Sequence, residues 1–231
     1  DVDGKMHACG HDGHMAILLG AAKMLTTMKD RIEGDVYLVF QPAEETGAGA
    51  PAFMKFGDWF EKVDAIFGGH VWIDLPAGLV SVEAGPRMAA SSKITINVKG
   101  KQGHGAQPHQ AVDAIVVASA IVMNLQTVVS RNVSALDSLV ITIGNIHSGS
   151  EWNVIPGEAQ MGGTIRFFDP DKEEYYVESI RRVVEYTALA YGATAELIYE
   201  RKVPATINDA AASELAERVV IDTLGKEKLS K

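Results

Sequence analysis

The only cysteine of the chain, Cys9, stands two residues before His11 in the run Gly4-Lys5-Met6-His7-Ala8-Cys9-Gly10-His11-Asp12-Gly13-His14. A thiol and an imidazole at that spacing, in a glycine-flanked segment, can turn to one side of the backbone and chelate. Both are ligands for zinc or a similar first-row ion. A site built from several segments takes its remaining donors from distant positions, and Glu44-Glu45 and His70, each closing an apolar run, offer them. At a strand end, one carboxylate of an adjacent pair can bind metal while its neighbour leans over the open coordination position. Metal-assisted hydrolysis needs that division of labour: the ion activates water and polarises a carbonyl, and a free carboxylate carries the proton to the leaving amine. Asp12 is the candidate for a carboxylate that orients a ligating imidazole from behind. Taken singly, a lone cysteine is more often a packed apolar residue, and an adjacent glutamate pair a solvated turn. Their coincidence argues for a site.

Residues of this kind need a scaffold, and the pattern around them alternates helix with strand. Residues 15–28 carry apolar side chains at helical spacing and read as a buried helix. Residues 36–40 are a continuous apolar run of the kind found in strands covered on both faces, and 63–69 repeats the buried-strand pattern, with a short helix expected over 50–56. Such α/β layers collect ligands beyond the carboxyl ends of their strands. After Gly85-Pro86 the character changes. Residues 93–99 alternate polar with apolar, 111–129 form a long apolar helix, 139–145 and 159–168 read as strands, 172–191 as an amphipathic helix and 194–201 as a last strand. Strand, helix, strand, strand, helix, strand is the split βαβ order of ferredoxin-like domains. A helix over 209–224 returns to the first domain. The expected organisation is a first catalytic part at 1–85, a ferredoxin-like α+β domain inserted at 86–203, and the start of a second catalytic part at 204–231.

Three polar residues of the inserted domain invite chemistry. His104, framed by glycines in Gly103-His104-Gly105-Ala106, could donate to a developing oxyanion or simply face solvent. Asn153 precedes Val154-Ile155-Pro156, and Arg166 lies within an apolar strand, where an arginine takes a carboxylate partner from the protein or from a substrate.

Composition narrows the partners. The 231 residues are nearly half apolar, enough for a core without staples, and the formal charge is -9. That balance lacks the basic face needed for nucleic acid or an anionic membrane, so a small-molecule substrate is expected. One cysteine cannot form an internal disulfide. With no signal peptide and no apolar stretch read as long enough to span a membrane, a cytoplasmic location is expected. The chain has no initiator methionine and opens directly on the cluster, so it reads as part of a longer protein.

The blocks Gly4 to His14, Phe40-Gln41-Pro42-Ala43-Glu44-Glu45, Gly69-His70, Gly103-His104-Gly105-Ala106 and Asn153-Val154-Ile155-Pro156 resemble, in order, the aminoacylase/carboxypeptidase family of dinuclear metallopeptidases. Within that family the resemblance is to auxin-conjugate hydrolases, hippurate hydrolases and N-acetyl-diaminopimelate deacetylases. It implies a zinc-exopeptidase-like α/β catalytic domain with an inserted ferredoxin-like lid that also mediates homodimerisation. It further implies a pair of divalent metal ions, zinc, manganese, nickel or cobalt, held by Cys9, His11, Glu45 and His70, with Glu44 as general base. His104 matches the lid histidine that stabilises the tetrahedral intermediate, and Asn153 and Arg166 match lid residues that hold the substrate. The implied reaction is hydrolysis of an N-acyl amino acid. The family's further histidine ligand near the C-terminus, and its N-terminal strands, have no counterpart in this sequence, so the catalytic domain is expected to be incomplete. His7, His14 and His109 are left without a role. Two other readings compete: Cys9 as a nucleophile with His11 as its base, which leaves the glutamates and His70 idle, and a non-catalytic remnant serving dimerisation or ligand binding.

Overall fold

The computed structural model describes residues 2–230. They fall into two compact units, one formed by Asp1–Glu83 with Ala211–Lys231 and the other by Ala84–Ala210.

In the first unit, helix α1 (His11–Thr27) starts immediately after Gly10, whose φ of 79° lies in the left-handed region that glycine enters without penalty. A Cβ at Gly10 would also meet Val71 Cγ2 at 2.3 Å. Helix α2 (Gly49–Met54) follows a single 3-10 turn at Glu44–Thr46. Val80–Ser81 pairs in parallel with Leu229–Ser230, which ties the two stretches of the unit together. The two apolar runs depart from expectation, because neither 36–40 nor 63–69 forms a strand. A strand exists by virtue of its ladder, and among the described residues no neighbouring strand lies alongside either run. Their side chains, from Val36 to Phe40 and at Ile66 and Phe67, are exposed. Helix α1 is not buried either. Met15, Ile17, Leu19 and Met24 all face outward, since helical spacing marks the face that needs cover but does not provide the cover.

The second unit carries the core. Its strands are β1 (Ala90–Lys99), β2 (Leu139–Ser148), β3 (Glu158–Phe167) and β4 (Thr194–Val203). They form one antiparallel sheet in the order β2-β3-β1-β4, with helix α3 (Ala114–Thr127) after β1 and helix α4 (Glu173–Ala190) after β3. That order and connectivity are the split βαβ arrangement. Along β1 burial alternates with period two, so Ile94, Ile96 and Val98 enter the core while Lys93 and Lys99 stay exposed. Val117, Ala118, Ile121 and Leu125 of α3, and Tyr176, Ile180 and Val184 of α4, close over them. Asp113 caps α3 by accepting from the backbone N–H groups of Ile115 and Val116 at 2.9 and 3.3 Å. Gly85–Met88 pairs with Thr206–Asn208, bringing the ends of the unit together. The chain continues into helix α5 (Ala210–Leu224).

One compositional expectation needs correction. Ala114–Asn132, which is α3 and the wider turn after it, is long and apolar enough to cross a membrane by length and composition alone. It is rich in Val, Ile and Ala and carries one charge, Arg131, near its end. A helix covering a sheet needs the same apolar stripe, and this one places Val117, Ile121 and Leu125 in the core.

Candidate functional site

Cys9 Sγ, a ring nitrogen of His11 and a carboxylate oxygen of Glu45 lie within 4.8 Å of one another. His11 Nε2 is 3.4 Å from Glu44 Oε2 and 3.4 Å from Glu45 Oε1, and Cys9 Sγ is 3.4 Å from His70 Nε2. The structure therefore gathers Cys9, His11, Glu44, Glu45 and His70. His70 Nδ1 lies 2.5 Å from the carbonyl oxygen of Val71. A nitrogen so close to a carbonyl donates its proton there, leaving the Nε2 lone pair turned toward Cys9. Asp12 is exposed and makes no hydrogen bond to a ligating imidazole among the described residues.

The glutamates are presented differently from the strand-end picture. Ala43, at φ 51° and ψ 40°, is left-handed without being glycine, and it throws Glu44 and Glu45 onto a 3-10 turn. Alternation along a strand would have sent the two carboxylates opposite ways, whereas this turn aims both at one imidazole. The sequence offered a turn at the glutamate pair only as the alternative to a site, and nothing in it marks the left-handed Ala43 that makes the turn and the site one feature. Sequence reasoning also left His14 unassigned, although His14 lies one helical turn beyond His11 on α1. The backbone N–H of Val71 donates to His14 Nε2 at 3.0 Å, and the rings of His14 and His70 meet edge to face with centroids 4.5 Å apart. The ring of His7 lies 6.3 Å from that of His11.

The surroundings move two of these groups from their ordinary values. Partial burial pushes the Cys9 thiol up, and a hydrogen bond to Glu45 with the negative charges of Glu45 and Glu44 pushes it further. Desolvation lowers the His14 imidazole, helped by His70 and His11. Among the described residues, the only basic side chain within 4 Å of the Glu44 and Glu45 carboxylates is the imidazole of His11. A thiol, imidazoles and two carboxylates with no lysine or arginine among them make a donor set suited to a divalent cation, which would stabilise the thiolate and neutralise the carboxylates.

Within the second unit, Gly103–His104 pairs with Val154–Ile155, which sets His104 opposite Val154 and next to Asn153. The N–H of Gly105 donates to the Asn153 carbonyl at 2.8 Å. A Cβ at Gly105 would come within 2.8 Å of that same oxygen, so the close approach requires glycine. His104 Nδ1 accepts from the N–H of Ala106 at 3.1 Å, which leaves Nε2 available. Arg166 lies on β3, cross-strand from Ser91 and Val140, and donates to Thr164 Oγ1 and to the Ile165 carbonyl. No described contact links it to His104 or Asn153. His109 is exposed beside Gln110.

The model of peptidase family M20/M25/M40 matches residues 1–231. The chain belongs to this family. Its α/β fold, with mixed helices and sheets, is that of the M20 peptidases. The chain is 42% identical to the N-acetylcysteine deacetylase of Bacillus subtilis, over 98% of this chain and 60% of that protein. It is also 42% identical to the IAA-amino acid hydrolase ILR1-like 4 of Arabidopsis thaliana, over 98% of this chain and 52% of that protein. A structure from methicillin-resistant Staphylococcus aureus superposes with a TM-score of 0.90 at 34% identity, covering 99% of this chain and 61% of that one. A dinuclear metal-binding M20 peptidase from Bacillus subtilis superposes at 0.77 with 38% identity, covering 95% and 56%. The chain thus spans 52–61% of the length of these relatives.

Proposed function

We propose that this M20 chain is the site-bearing part of a metal-dependent amidohydrolase that cleaves N-acyl amino acids to a carboxylic acid and an amino acid. The observation that carries the reading is the convergence of Cys9, His11 and Glu45, with Glu44 held on the same imidazole and His70 against the thiol. The names of the relatives support the substrate class, since one is a deacetylase of an N-acetyl amino acid and another a hydrolase of an indoleacetyl conjugate. The dinuclear neighbour supports a pair of divalent ions.

Cys9, His11, Glu45 and His70 would hold the metal pair, zinc, manganese, nickel or cobalt. When bound, it supplies Lewis acidity and a lowered pKa for water. Glu44 is the general base: its carboxylate takes the proton of the attacking water and returns it to the leaving amine. In the same proposal the 84–210 unit is an inserted lid that pairs two copies of the chain. His104 offers Nε2 to the oxyanion, and Asn153 and Arg166 hold the substrate, the latter at its free carboxylate. A thiolate ligand must stay reduced, so the proposal includes a cytoplasmic location.

Cys9 acting as a nucleophile fits less well. Nucleophilic cysteines are depressed by cationic neighbours, whereas burial and the surrounding carboxylates raise this one. The decisive test is Glu44→Gln, assayed with zinc or manganese on N-acetyl, N-benzoyl and indoleacetyl amino acids. Turnover should fall by about 10²–10⁴-fold with bound metal unchanged. Full turnover in this variant, or turnover in chelator-treated protein that thiol alkylation abolishes, would overturn the assignment.

A further inference from the structure

We propose that His14 is a positioning residue that clamps the His70 segment onto the first turn of α1, so that the donors are gathered before any ion binds. The inference rests on the metal-centre reading above.

The clamp spans 57 residues of sequence and has three parts. The backbone N–H of Val71 donates to His14 Nε2 at 3.0 Å. The His14 ring meets the His70 ring edge to face, with centroids 4.5 Å apart and planes at 62°. The Val71 side chain occupies the space that Gly10 leaves by lacking a Cβ, which would otherwise stand 2.3 Å from Val71 Cγ2. Both peptide units flanking Val71 are therefore engaged, the N–H of one by His14 and the carbonyl of the next by His70 Nδ1 at 2.5 Å.

These contacts decide what His14 does. Its Nε2 lone pair is committed to a backbone donor, so it is not offered to a metal, and its own proton sits on Nδ1. The backbone hydrogen bond fixes the height of residue 71, and the ring contact fixes the plane of the His70 imidazole whose Nε2 faces Cys9. A ligand whose backbone and ring plane are both set loses little freedom on coordination, and removal of such supporting groups weakens metal binding by about 10–100-fold.

The test is a titration of the chain with Co²⁺, read by the thiolate-to-cobalt and d–d absorption bands, on unsubstituted protein, His14→Phe and His14→Gln. Phenylalanine keeps a ring against His70 but removes the acceptor for Val71, while glutamine restores an acceptor without the ring. The expected result is Co²⁺ affinity lowered about 10–100-fold in His14→Phe and partly recovered in His14→Gln, which restores the acceptor but not the ring contact, with the thiolate band at saturation unchanged in all three. Equal affinity in all three proteins, or glutamine no better than phenylalanine, overturns the positioning role while leaving the metal centre standing. A saturated spectrum altered in both variants overturns it by making His14 a ligand. No Co²⁺ binding by the unsubstituted protein removes the metal centre itself. A measurement without metal guards against a misfolded variant: the Val71 amide should exchange more slowly in the unsubstituted protein and His14→Gln than in His14→Phe. Equal Val71 exchange in all three proteins would also overturn the clamp.

Discussion

Glu173 is nearly buried, yet it stays ionised because three donors converge on it. Tyr199 Oη donates to Oε1 at 2.7 Å, Arg201 Nε donates to the same oxygen at 2.7 Å, and Arg201 Nη2 reaches Oε2. Burial raises its pKa, and the hydrogen bonds and charge of Arg201 and Tyr199 outweigh burial, so the carboxyl titrates below its ordinary range. A folded-state pKa below the unfolded value of about 4.3 means this contribution is complete at neutral pH and is lost as pH falls through the folded value. Glu173→Gln should therefore destabilise the protein by about 1–3 kcal/mol at pH 7, and by progressively less toward pH 3, as followed by urea midpoints across that range. A constant difference at all pH values would refute the assignment. Gly105→Ala tests a different residue-scale constraint. The new Cβ would strike the Asn153 carbonyl and push apart the two segments that present His104 and Asn153, so activity should drop by about 10²-fold with metal content intact by atomic absorption. Donor chemistry made the Cys9, His11 and Glu45 set conspicuous in the sequence. The way the turn aims Glu44 was hidden, because a left-handed alanine has no compositional mark.

Elements were legible in proportion to how many of their packing partners lie among the described residues. In β1, alternating polarity gives the burial of Ile94, Ile96 and Val98 directly, since both neighbouring strands and both helices that use that face are present. The runs at 36–40 and 63–69 are more apolar than β1 and yet make no ladder, because a continuous apolar run records a need for partners on its edges and faces without naming them. Helix α3 separates composition from position. Ile121 is fully buried, whereas Met123, two residues on, is 70% exposed. Ile121→Ala should cost about 2–5 kcal/mol through lost burial and a residual cavity, and Met123→Ala less than about 0.5 kcal/mol. Chemical denaturation of both variants checks this, and comparable losses would mean that the outer face of α3 is also packed in solution.

Across the whole molecule, the division of labour between the two units is a division of stability. Every member of the buried apolar cluster lies between Ala90 and Leu197, while in the first unit the only buried positions among the described residues are Gly49 and Ser213. Core burial sets the free energy of opening, so amides of β1, β3, α3 and α4 should exchange at rates set by global unfolding, and those of α1 and residues 36–40 much faster. The candidate metal donors all lie in the weakly packed unit. A ligand that binds only the folded form stabilises it by RT ln(1 + [L]/Kd), about 2.7 kcal/mol at a hundred times Kd, which corresponds to about a hundredfold slowing of exchange. Adding zinc to the chain should therefore slow exchange in residues 9–14, 44–46 and 70–71 by up to that factor and leave the sheet of the second unit unchanged. If zinc instead slowed both units equally, the two would unfold as one cooperative body and the sheet would share in the binding energy. If it slowed neither, the gathered thiol, imidazoles and carboxylates would have no affinity for the ion, and their mutual repulsion would have to be relieved by protons alone.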